Sequence, residues 1–387
     1  MKTASPENAR LSIEALVGQR IRELRLTEGL TIKALAESMG ISIGQLSRIE
    51  NGKTGVSVQS LLPLCERLNR SLSYFFRREE EIPKVLGTLT TVEGPESQGI
   101  EWFAREVAHQ TDGQINLVPL KAHQLGSGLD QVAQLASGHI DIFIEELYHY
   151  WKFVPGFGIF SLPYVFENSD HQQAFLKGRY FRETLLAPLG DHAIRMLTPC
   201  WNWHRGIERV LISSHPVVSP EDLAGKRIRI FEAPILDQFF RRMGAVPVTV
   251  PWTDVSEALQ KGIVDVAATH KSHLFPLKFC SHARYVTRLG DISPVLGLGI
   301  NENKFRVLPP TIQKVLCRVA DTAGDRFSAG VVDAEVENEV KNIQTHGAVY
   351  LTVDLEPWKK AAKSILAEMV RDGLILRELV SEIALCR

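Results

Sequence analysis

The sequence predicts a multidomain protein, with a small all-α head followed by a larger α/β body. Residues 28–54 read as two short helices joined by a tight turn, which is the pattern of a helix-turn-helix. Farther along the chain, short apolar strands alternate with helices of 8–12 residues, as expected for parallel βαβ units. The segment RREEEIPKVLG (77–87) mixes charges with a proline and marks the boundary between the two parts.

The composition supports this division. The 387 residues are 44% apolar, which is enough to build sizeable cores in more than one domain. Residues 1–78 contain 12 Lys and Arg against 7 Asp and Glu, a net charge of +5, whereas the remainder has 32 against 38, a net charge of −6. A surface that binds a polyanion is therefore expected in the head.

The cysteines and the first residues bear on the cellular compartment. The five cysteines are odd in number and scattered, with no CxxC pair, which argues against a disulfide framework or a zinc site. The first 25 residues contain no continuous apolar region, and no run of 18 apolar residues occurs. We therefore expect no signal peptide, no membrane span and a cytoplasmic location.

The head is expected to contain four helices and a short closing segment. Thr31 and Ser42 are suited to cap the second and third helices, and Gly29 and Gly40 to end the helices before them. The order Ser42-x-x-Gln45 also fits a capping box. The apolar stripes predict helices over about 13–27, from 32, from 43 and over about 57–68, with the closing segment at 71–76.

The segment MGISIGQLSRIENGKTG (39–55) carries a specific resemblance. It is similar to the helix-turn-helix of the Cro/xenobiotic-response-element (XRE) repressors, including the Glu-Asn-Gly-Lys after the recognition helix. The similarity spans about residues 15–76 and implies a lambda-repressor-like fold that binds double-stranded DNA. The alternative is a helical bundle used for protein contact, as in some antitoxins.

The resemblance implies which residues contact DNA. The outward positions of the third helix would read base edges, with Arg48 suited to a bidentate contact to guanine and Ile43 to a thymine methyl. Gln45 is either a base reader or only the capping-box partner of Ser42. Together with the phosphate-contacting positions Arg25, Thr31, Lys53 and Thr54, the candidate DNA-binding residues are Ser42, Ile43, Gly44, Gln45, Ser47 and Arg48.

The body reads as alternating strands and helices. Glycines 138, 244 and 262 are placed to end three of the helices. No glycine-rich phosphate loop precedes any helix, so we expect no nucleotide site and no cofactor. The predicted strands are 114–120, 140–145, 227–231, 246–250 and 264–269, and the predicted helices are 100–110, 129–136, 235–243 and 254–261.

Two segments of the body resemble a second family. HPVVSPEDLAGKRIRIFEAP (215–234) and MGAVPVTVPWTDVSEALQKGIVDVA (243–267) are similar to the solute-binding proteins of tripartite ATP-independent periplasmic (TRAP) transporters, of the DctP type. Further matching pieces at 121–142, 161–166 and 308–316 follow in the expected order, so the similarity covers about residues 86–375. It implies a two-lobed α/β fold of the periplasmic-binding-protein type that closes on a small organic acid.

The same resemblance implies an arginine site for the ligand. Arg229 occupies the position of the family's carboxylate-clamping arginine, whose planar fork donates two parallel hydrogen bonds to a carboxylate. Arg209 falls where many members have a second pocket arginine; the alternative is a solvated arginine on a strand. Arg227 shares the strand face of Arg229 by the two-residue period, so it is the competing assignment.

Other expected pocket positions depart from the family pattern. Glu232 replaces a residue that is frequently Asn or Ser, and Thr269 replaces a frequent Asn. Carboxylates beside a carboxylate-binding arginine suit an amine or a hydroxyl on the ligand, so we expect a zwitterionic or polyhydroxy acid. Alternatively, the glutamates form internal ion pairs or stay solvated. The remaining candidates for ligand binding are Glu145, Glu146 and Trp203, with Trp201 in the same segment as Trp203.

Metal binding and catalysis find little support in the sequence. His270-x2-His273, with Cys280 and His282, is the local cluster of metal-ligand types, and its spacing matches no common site. The chain contains no G-x-S-x-G elbow and no HExxH motif. We therefore expect neither a metal site nor an enzyme.

These patterns predict four segments: a flexible N-terminus (1–14), a DNA-binding head (15–76), a linker (77–85) and a ligand-binding domain (86–387). We interpret the chain as a transcriptional regulator that binds a DNA operator as a homodimer and senses a small organic acid. No membrane partner is expected. The alternatives are an enzyme that metabolises the acid and an interaction scaffold with a vestigial helix-turn-helix.

Overall fold

The computed structural model describes residues 12–68, 72–76, 85–91, 96–111, 113–121, 125–206, 208–291 and 294–386. The head begins at Ser12, whose hydroxyl accepts a hydrogen bond from the main-chain nitrogen of Ala15 at 3.2 Å and caps the first helix. That helix overlaps the last two residues of the segment 1–14 that was predicted to be flexible, and residues 1–11 of that segment lie outside the described ones. The head contains α1 (Ile13–Thr27), α2 (Ile32–Ser38), α3 (Ile43–Glu50), α4 (Val58–Leu68) and a 3₁₀ helix (Leu72–Phe76).

The helix caps of the head agree with the sequence. The hydroxyls of Thr31 and Ser42 accept from the main-chain nitrogens of the third residue of α2 and of α3, each at 3.1 Å. Gly29 and Gly40 adopt φ of +65° and +66°, a region that costs a residue with a Cβ. Among the hydrogen bonds of the described residues, the Gln45 side chain returns none to Ser42, so only half of the predicted capping box forms.

The body begins with a strand at Val85, the last residue of the predicted linker, whose other residues lie outside the described ones. Its strands and longer helices, in chain order, are β1 (Val85–Thr91), α5 (Glu96–Gln110), β2 (Ile115–Lys121), α6 (Gly128–Ser137), β3 (Ile142–Glu146), α7 (Ser169–Lys177), β4 (Ile194–Met196), β5 (Arg209–Ser213), β6 (Arg227–Ile230), α8 (Pro234–Arg242), β7 (Val246–Thr249), α9 (Val255–Gln260), β8 (Val266–His270), α10 (Lys271–Leu274), β9 (Tyr285–Arg288), β10 (Leu296–Asn301), α11 (Glu302–Arg306), α12 (Pro310–His346), β11 (Val349–Thr352), α13 (Glu356–Arg371) and α14 (Arg377–Leu385).

Two sheets divide the body into two lobes. In the described residues, the sheet of lobe 1 has the order β2-β1-β3-β10-β4, and that of lobe 2 has the order β11-β9-β5-β8-β6-β7. The chain passes from lobe 1 to lobe 2 between β4 and β5 and returns between β9 and β10. Each sheet packs an apolar core of its own, and a further apolar cluster contains residues of both sheets, including Phe143 and Ile228.

The prediction of parallel βαβ units is only partly right. β1 pairs in parallel with β2 and β3, and β6 with β7 and β8. However, β10 runs antiparallel to β3 and β4, and β5 runs antiparallel to β8 and β9. Both exceptions are strands that the chain enters directly after crossing between the lobes, so both sheets are mixed.

The 37-residue helix α12 contacts both lobes. Near its start, the main-chain oxygen of Ala320 accepts from Nε1 of Trp203, which packs against Phe103 of lobe 1. Near its end, Glu339 forms ion pairs with Lys271 and Arg288 of lobe 2. Among the helices of the described residues, none combines the length and apolar character that a membrane crossing requires.

Candidate functional site

The outer face of α3 is the first candidate site. Leu46 and Ile49 are buried in the head, so the helical period turns the other side of α3 outward. Ile43 on that side is 47% exposed, and Gly44, Gln45 and Arg48 are also exposed, whereas Ser47 is half-buried. With no hydrogen bond to Ser42, the Gln45 amide can reach outward as well. This face of α3 is therefore exposed and available to a partner.

The four residues predicted to contact phosphate differ in their exposure to solvent and in their bonding partners. Thr31 and Lys53 are exposed and Thr54 is half-buried. Arg25, by contrast, donates from Nε and Nη2 to the two carboxylate oxygens of Glu50, at 2.7 and 2.9 Å, and the Glu50 side chain is buried. This bidentate pair joins the end of α1 to the end of α3. The phosphate contact of Arg25 stays a prediction, and in this structure its guanidinium is bound to Glu50 and links two helices of the head.

The second candidate site is a cleft of about 930 Å³ between the two lobes. Arg209 on β5, Arg229 on β6 and Thr269 on β8 all line it. These three strands are neighbours in the order β5-β8-β6, which brings residues 20 and 40 positions apart to one edge of the sheet. The prediction that these residues belong to one pocket agrees with this geometry.

The two guanidiniums are buried yet leave donors unused. Arg209 and Arg229 are each 5% exposed. Nε of Arg229 donates to the main-chain oxygen of Val250 at 3.0 Å, and Nε of Arg209 is buried without a partner. Among the described residues, no acceptor binds the terminal nitrogens of either side chain. Burial lowers the pKa of Arg229 to about 10, and the neighbouring Arg209 contributes in the same direction.

Aromatic rings hold these guanidiniums in place. The central carbons of Arg209 and Arg229 lie 5.5 and 5.9 Å from the ring centre of Phe231, and Arg229 also lies 5.4 Å from that of Trp252. Tyr148 of lobe 1 stacks on the ring of Phe231 in lobe 2, and the two ring centroids are 3.9 Å apart. The cation–π contacts fix both arginines in a cleft whose walls belong to different lobes.

A network of buried charges lies beside them. Arg205, which is 5% exposed, donates to Glu96 at 3.0 Å, to Glu146 at 3.4 Å and to Glu145. Burial lowers the pKa of Arg205, but the three carboxylates outweigh it, so the net pKa is well above the usual value. Arg205 belongs to the segment that crosses between the lobes, while the three glutamates belong to lobe 1.

Two histidines of lobe 2 complete this network. His270 is 2.9 Å from Glu146 and His273 is 2.8 Å from Glu96, measured from Nε2 to the carboxylate oxygen. Burial lowers the pKa of His270 to about 4, and Glu146 offsets this only in part, so the neutral ring donates its Nε2 proton to an ionised Glu146. Burial raises the pKa of Glu96, but Arg205 and His273 lower it to about 2 overall. These contacts join the lobes directly.

Comparison with known proteins assigns the body. A model of the family described as bacterial extracellular solute-binding protein, family 7 (DctP), matches residues 86–372. The chain belongs to this family. A helix-turn-helix family model matches residues 21–75, so the chain joins that domain to a family 7 domain. The fold class and both resemblances predicted from the sequence are confirmed.

Relatives and solved structures agree with the family assignment. A solute-binding protein of Sulfitobacter sp. strain NAS-14.1 is 28% identical over 57% of this chain and 66% of its own length, and the 2,3-diketo-L-gulonate-binding periplasmic protein of Escherichia coli K12 is 24% identical over 69% and 79%. A TRAP solute-binding protein structure from Sulfitobacter sp. NAS-14.1 with bound β-D-galacturonate has a TM-score of 0.71 at 20% identity, covering 77% of this chain and 99% of that one. One from Ochrobacterium anthropi with bound L-fuconate has a TM-score of 0.69 at 25% identity, covering 78% and 99%.

Some predicted ligand residues of this family 7 domain lie elsewhere. Trp203 is fully buried against Phe103 and Phe327 and does not line the cleft, so its predicted ligand contact is wrong. Trp201 is likewise buried, against Phe181. Both indoles are buried because their segment runs over apolar cores rather than along the cleft.

The glutamates take the alternative role that the sequence left open. Glu145 and Glu146 line the cleft but are bound by Arg205, as internal ion pairs. Glu232 lies at the cleft's rim, is exposed and pairs with Lys152 at 3.2 Å. Arg227, the competitor of Arg229, is exposed and bound to Asp265 at 2.7 Å, so its guanidinium has an acceptor already.

The structure brings residues into the site that sequence reasoning missed. Arg205, His149, Phe231 and Trp252 all line the cleft, as do His270 and His273, each of which is bound to a carboxylate. No local pattern marks Arg205, since it follows no strand and its partners lie 59 to 109 residues away. The pair Thr269-His270 at the end of a strand was the one available signal for His270.

Proposed function

We propose that this chain is a cytoplasmic transcriptional regulator in which the family 7 domain senses a small organic acid and the helix-turn-helix head binds an operator. The observation that carries the proposal is a pair of buried arginines with unused terminal donors, in the same chain as an exposed helix-turn-helix surface. Burying a cation without an acceptor is costly. An anion that enters the cleft supplies the missing acceptor and removes this cost. Because the walls of the cleft belong to different lobes, we expect anion binding and closure of the lobes to favour each other.

The ligand class we propose is a polyhydroxy acid. Its carboxylate would lie between Arg209 and Arg229, where planar donors suit it. Its hydroxyls would meet the Oγ1 of Thr269, which is buried without a partner. Because Arg205 already neutralises the glutamates, the cleft does not need a ligand ammonium. The relative named for 2,3-diketo-L-gulonate and the structures holding β-D-galacturonate and L-fuconate support this class.

The proposed output is a change in the placement of two heads. A helix-turn-helix dimer binds half-sites about 34 Å apart, one turn of the DNA. The head is joined through residues 77–84 to β1 of lobe 1, whereas both ligand arginines belong to lobe 2. Closure of the lobes would therefore move the point to which the head is attached. A coupling of about 1–3 kcal/mol corresponds to a change of roughly 5–150-fold in operator affinity.

The test uses the full-length protein in two steps. Thermal denaturation is measured with D-glucuronate, D-galacturonate, L-fuconate and succinate, and a ligand at 100 times its Kd should add about 2.7 kcal/mol of stability. DNA fragments selected from genomic DNA are then titrated by fluorescence anisotropy with and without the stabilising acid. Loss of affinity with rising salt identifies phosphate contacts. A protein that binds an acid but whose DNA affinity does not respond to it is not a ligand-responsive regulator.

A further inference from the structure

The buried charges beside the ligand site are balanced residue by residue, whereas the other carboxylates of the cleft, those of Asp130, Glu232 and Asp254, are exposed to solvent. Three arginines (Arg205, Arg209 and Arg229) meet three glutamates (Glu96, Glu145 and Glu146), and all but Glu96 line the cleft. Arg205 binds all three carboxylates, while Arg209 and Arg229 bind none of them. The guanidinium of Arg205 thus binds all three of these carboxylates, and the terminal nitrogens of the other two guanidiniums remain available to a ligand.

Glu145 depends on Arg205 more than the other two carboxylates do. Glu96 has His273 as a second partner, and Glu146 has His270. Within the part of the chain that the structure describes, Arg205 is the only cation that donates a hydrogen bond to Glu145. The carboxylate of Glu145 also accepts a hydrogen bond from the main-chain nitrogen of the next residue at 3.0 Å. Its side chain is 16% exposed, so it is the carboxylate of the three that faces the cleft most.

Removal of Arg205 would reverse the balance of these buried charges. Two guanidiniums would remain against three carboxylates, and Glu145 would have no cation of its own. The nearest cations that line the same cleft are Arg209 and Arg229, which the ligand carboxylate also needs. Glu145 would compete with the ligand for these donors, or would repel it from a site of low dielectric constant.

We propose that Arg205 determines the charge class of the ligand: it binds Glu96, Glu145 and Glu146 and thereby reserves Arg209 and Arg229 for an anion. Arg205 is a positioning residue, since it acts through the glutamates and needs no contact with the ligand. The proposal deepens the proposed function and rests on it for the identity of the site. Without Arg205, the same cleft would prefer a neutral molecule.

The test measures affinity for D-glucuronate and for its uncharged analogue D-glucuronamide in the full-length protein. Arg205→Met should weaken D-glucuronate binding by at least about tenfold, roughly 1.4 kcal/mol, with little effect on D-glucuronamide. Arg205→Met combined with Glu145→Gln restores the balance of charges and should return D-glucuronate affinity to within a few-fold of the wild type. A merely structural role of Arg205 would not be rescued by removing a second charged residue.

Two further variants keep the proposal falsifiable if Arg205→Met does not fold. Glu145→Gln alone should favour D-glucuronate over D-glucuronamide by about threefold or more relative to the wild type. Glu302→Gln is the matched control, because Glu302 is also bound by two arginines, Arg195 and Arg306, but does not line the cleft. Its ratio of affinities should equal that of the wild type. Equal ratios in Glu145→Gln and the wild type would overturn the proposal.

A ligand-free arm separates this proposal from the proposed function. Without any ligand, Arg205→Met with Glu145→Gln should melt at a higher temperature than Arg205→Met, because one buried carboxylate without a cation has been removed. If the double variant is no more stable, the assignment of Arg205 as the neutralising group fails. If the wild type binds neither probe, the proposed ligand class fails instead, whatever the melting temperatures show.

Discussion

Replacing Arg229 with methionine should abolish the ligand response while leaving the DNA-binding head unchanged. Methionine retains an unbranched apolar side chain against Phe231 and Trp252 but removes the guanidinium. Arg227→Met is the matched control, since it removes the same group from the same strand. Arg227 is exposed and bound to Asp265, outside the cleft. The pair of variants therefore separates loss of an arginine from loss of the ligand contact.

The magnitude follows from the donors that Arg229 leaves unused. Its Nε is bound to Val250 O at 3.0 Å, so its terminal nitrogens are available to a carboxylate. Each hydrogen bond to a charged group contributes about 1.5–3 kcal/mol, so two contribute roughly 3–6 kcal/mol. This corresponds to a loss of about 10²- to 10⁴-fold in affinity. Stability without ligand should change less, because burial already disfavours the charged form of Arg229.

The assay compares the two variants with the wild type at one ligand concentration. At 100 times its Kd the ligand adds about 2.7 kcal/mol to the wild type, and a variant that binds 100-fold more weakly gains only about 0.4 kcal/mol. Operator affinity without ligand, measured by anisotropy, should be equal in all three proteins. An Arg229→Met protein that binds the acid within about threefold of the wild type would refute the reasoning, as would an equal loss in Arg227→Met.

Four further predictions concern the head and the buried histidine. Arg48→Ala should cost about 1–3 kcal/mol of discrimination at one operator position, whereas Lys53→Ala should reduce the salt slope of DNA binding by about 1 without changing sequence preference; competition with single-base operator variants checks the sequence preference of both, and titrations at several salt concentrations check the slope. Arg25→Met should lower the stability of the head by roughly 1–2 kcal/mol with an unchanged salt slope, since its partner is Glu50 rather than phosphate; a reduced slope would contradict this. For His270, whose pKa is lowered from 6.5 to about 4, stability is fully present above pH 6.5 and is lost as the pH falls toward 4. Urea denaturation at pH 7 and pH 5 should show a loss of about 2 kcal/mol from this group, which His270→Gln removes; an equal loss in the variant would contradict the buried neutral ring.

The local signals of the head were sufficient for its secondary structure. Caps such as Thr31 and Ser42 form hydrogen bonds three residues along the chain, and helical periodicity repeats within one turn, so both are readable from sequence. The strand β10 (Leu296–Asn301) was missed because it is buried throughout and contains two glycines, so it shows no alternation. Its antiparallel direction depends on the chain's return from lobe 2, which no local pattern records.

The candidate site was likewise predicted only in part from the sequence. Arg209, Arg229 and Thr269 were predicted by position within a family motif, and neighbouring strands bring them to one cleft. The ion pairs were not predictable, since Arg205 and Glu96 are 109 residues apart and Glu96 and His273 are 177 apart. Many pairings of 44 basic with 45 acidic residues are compatible with the sequence, and only the packing of the lobes selects among them.

The sequence by itself determined that a helix-turn-helix precedes a two-lobed solute-binding domain, and it predicted which arginines bind the ligand. Tertiary structure alone decided which charges remain available. It paired Arg25 with Glu50, buried Trp203 away from the cleft and gave the three glutamates to Arg205. The physical reason is that a motif specifies side chains and their order, whereas the availability of a donor depends on which acceptor the folded chain brings within hydrogen-bonding distance.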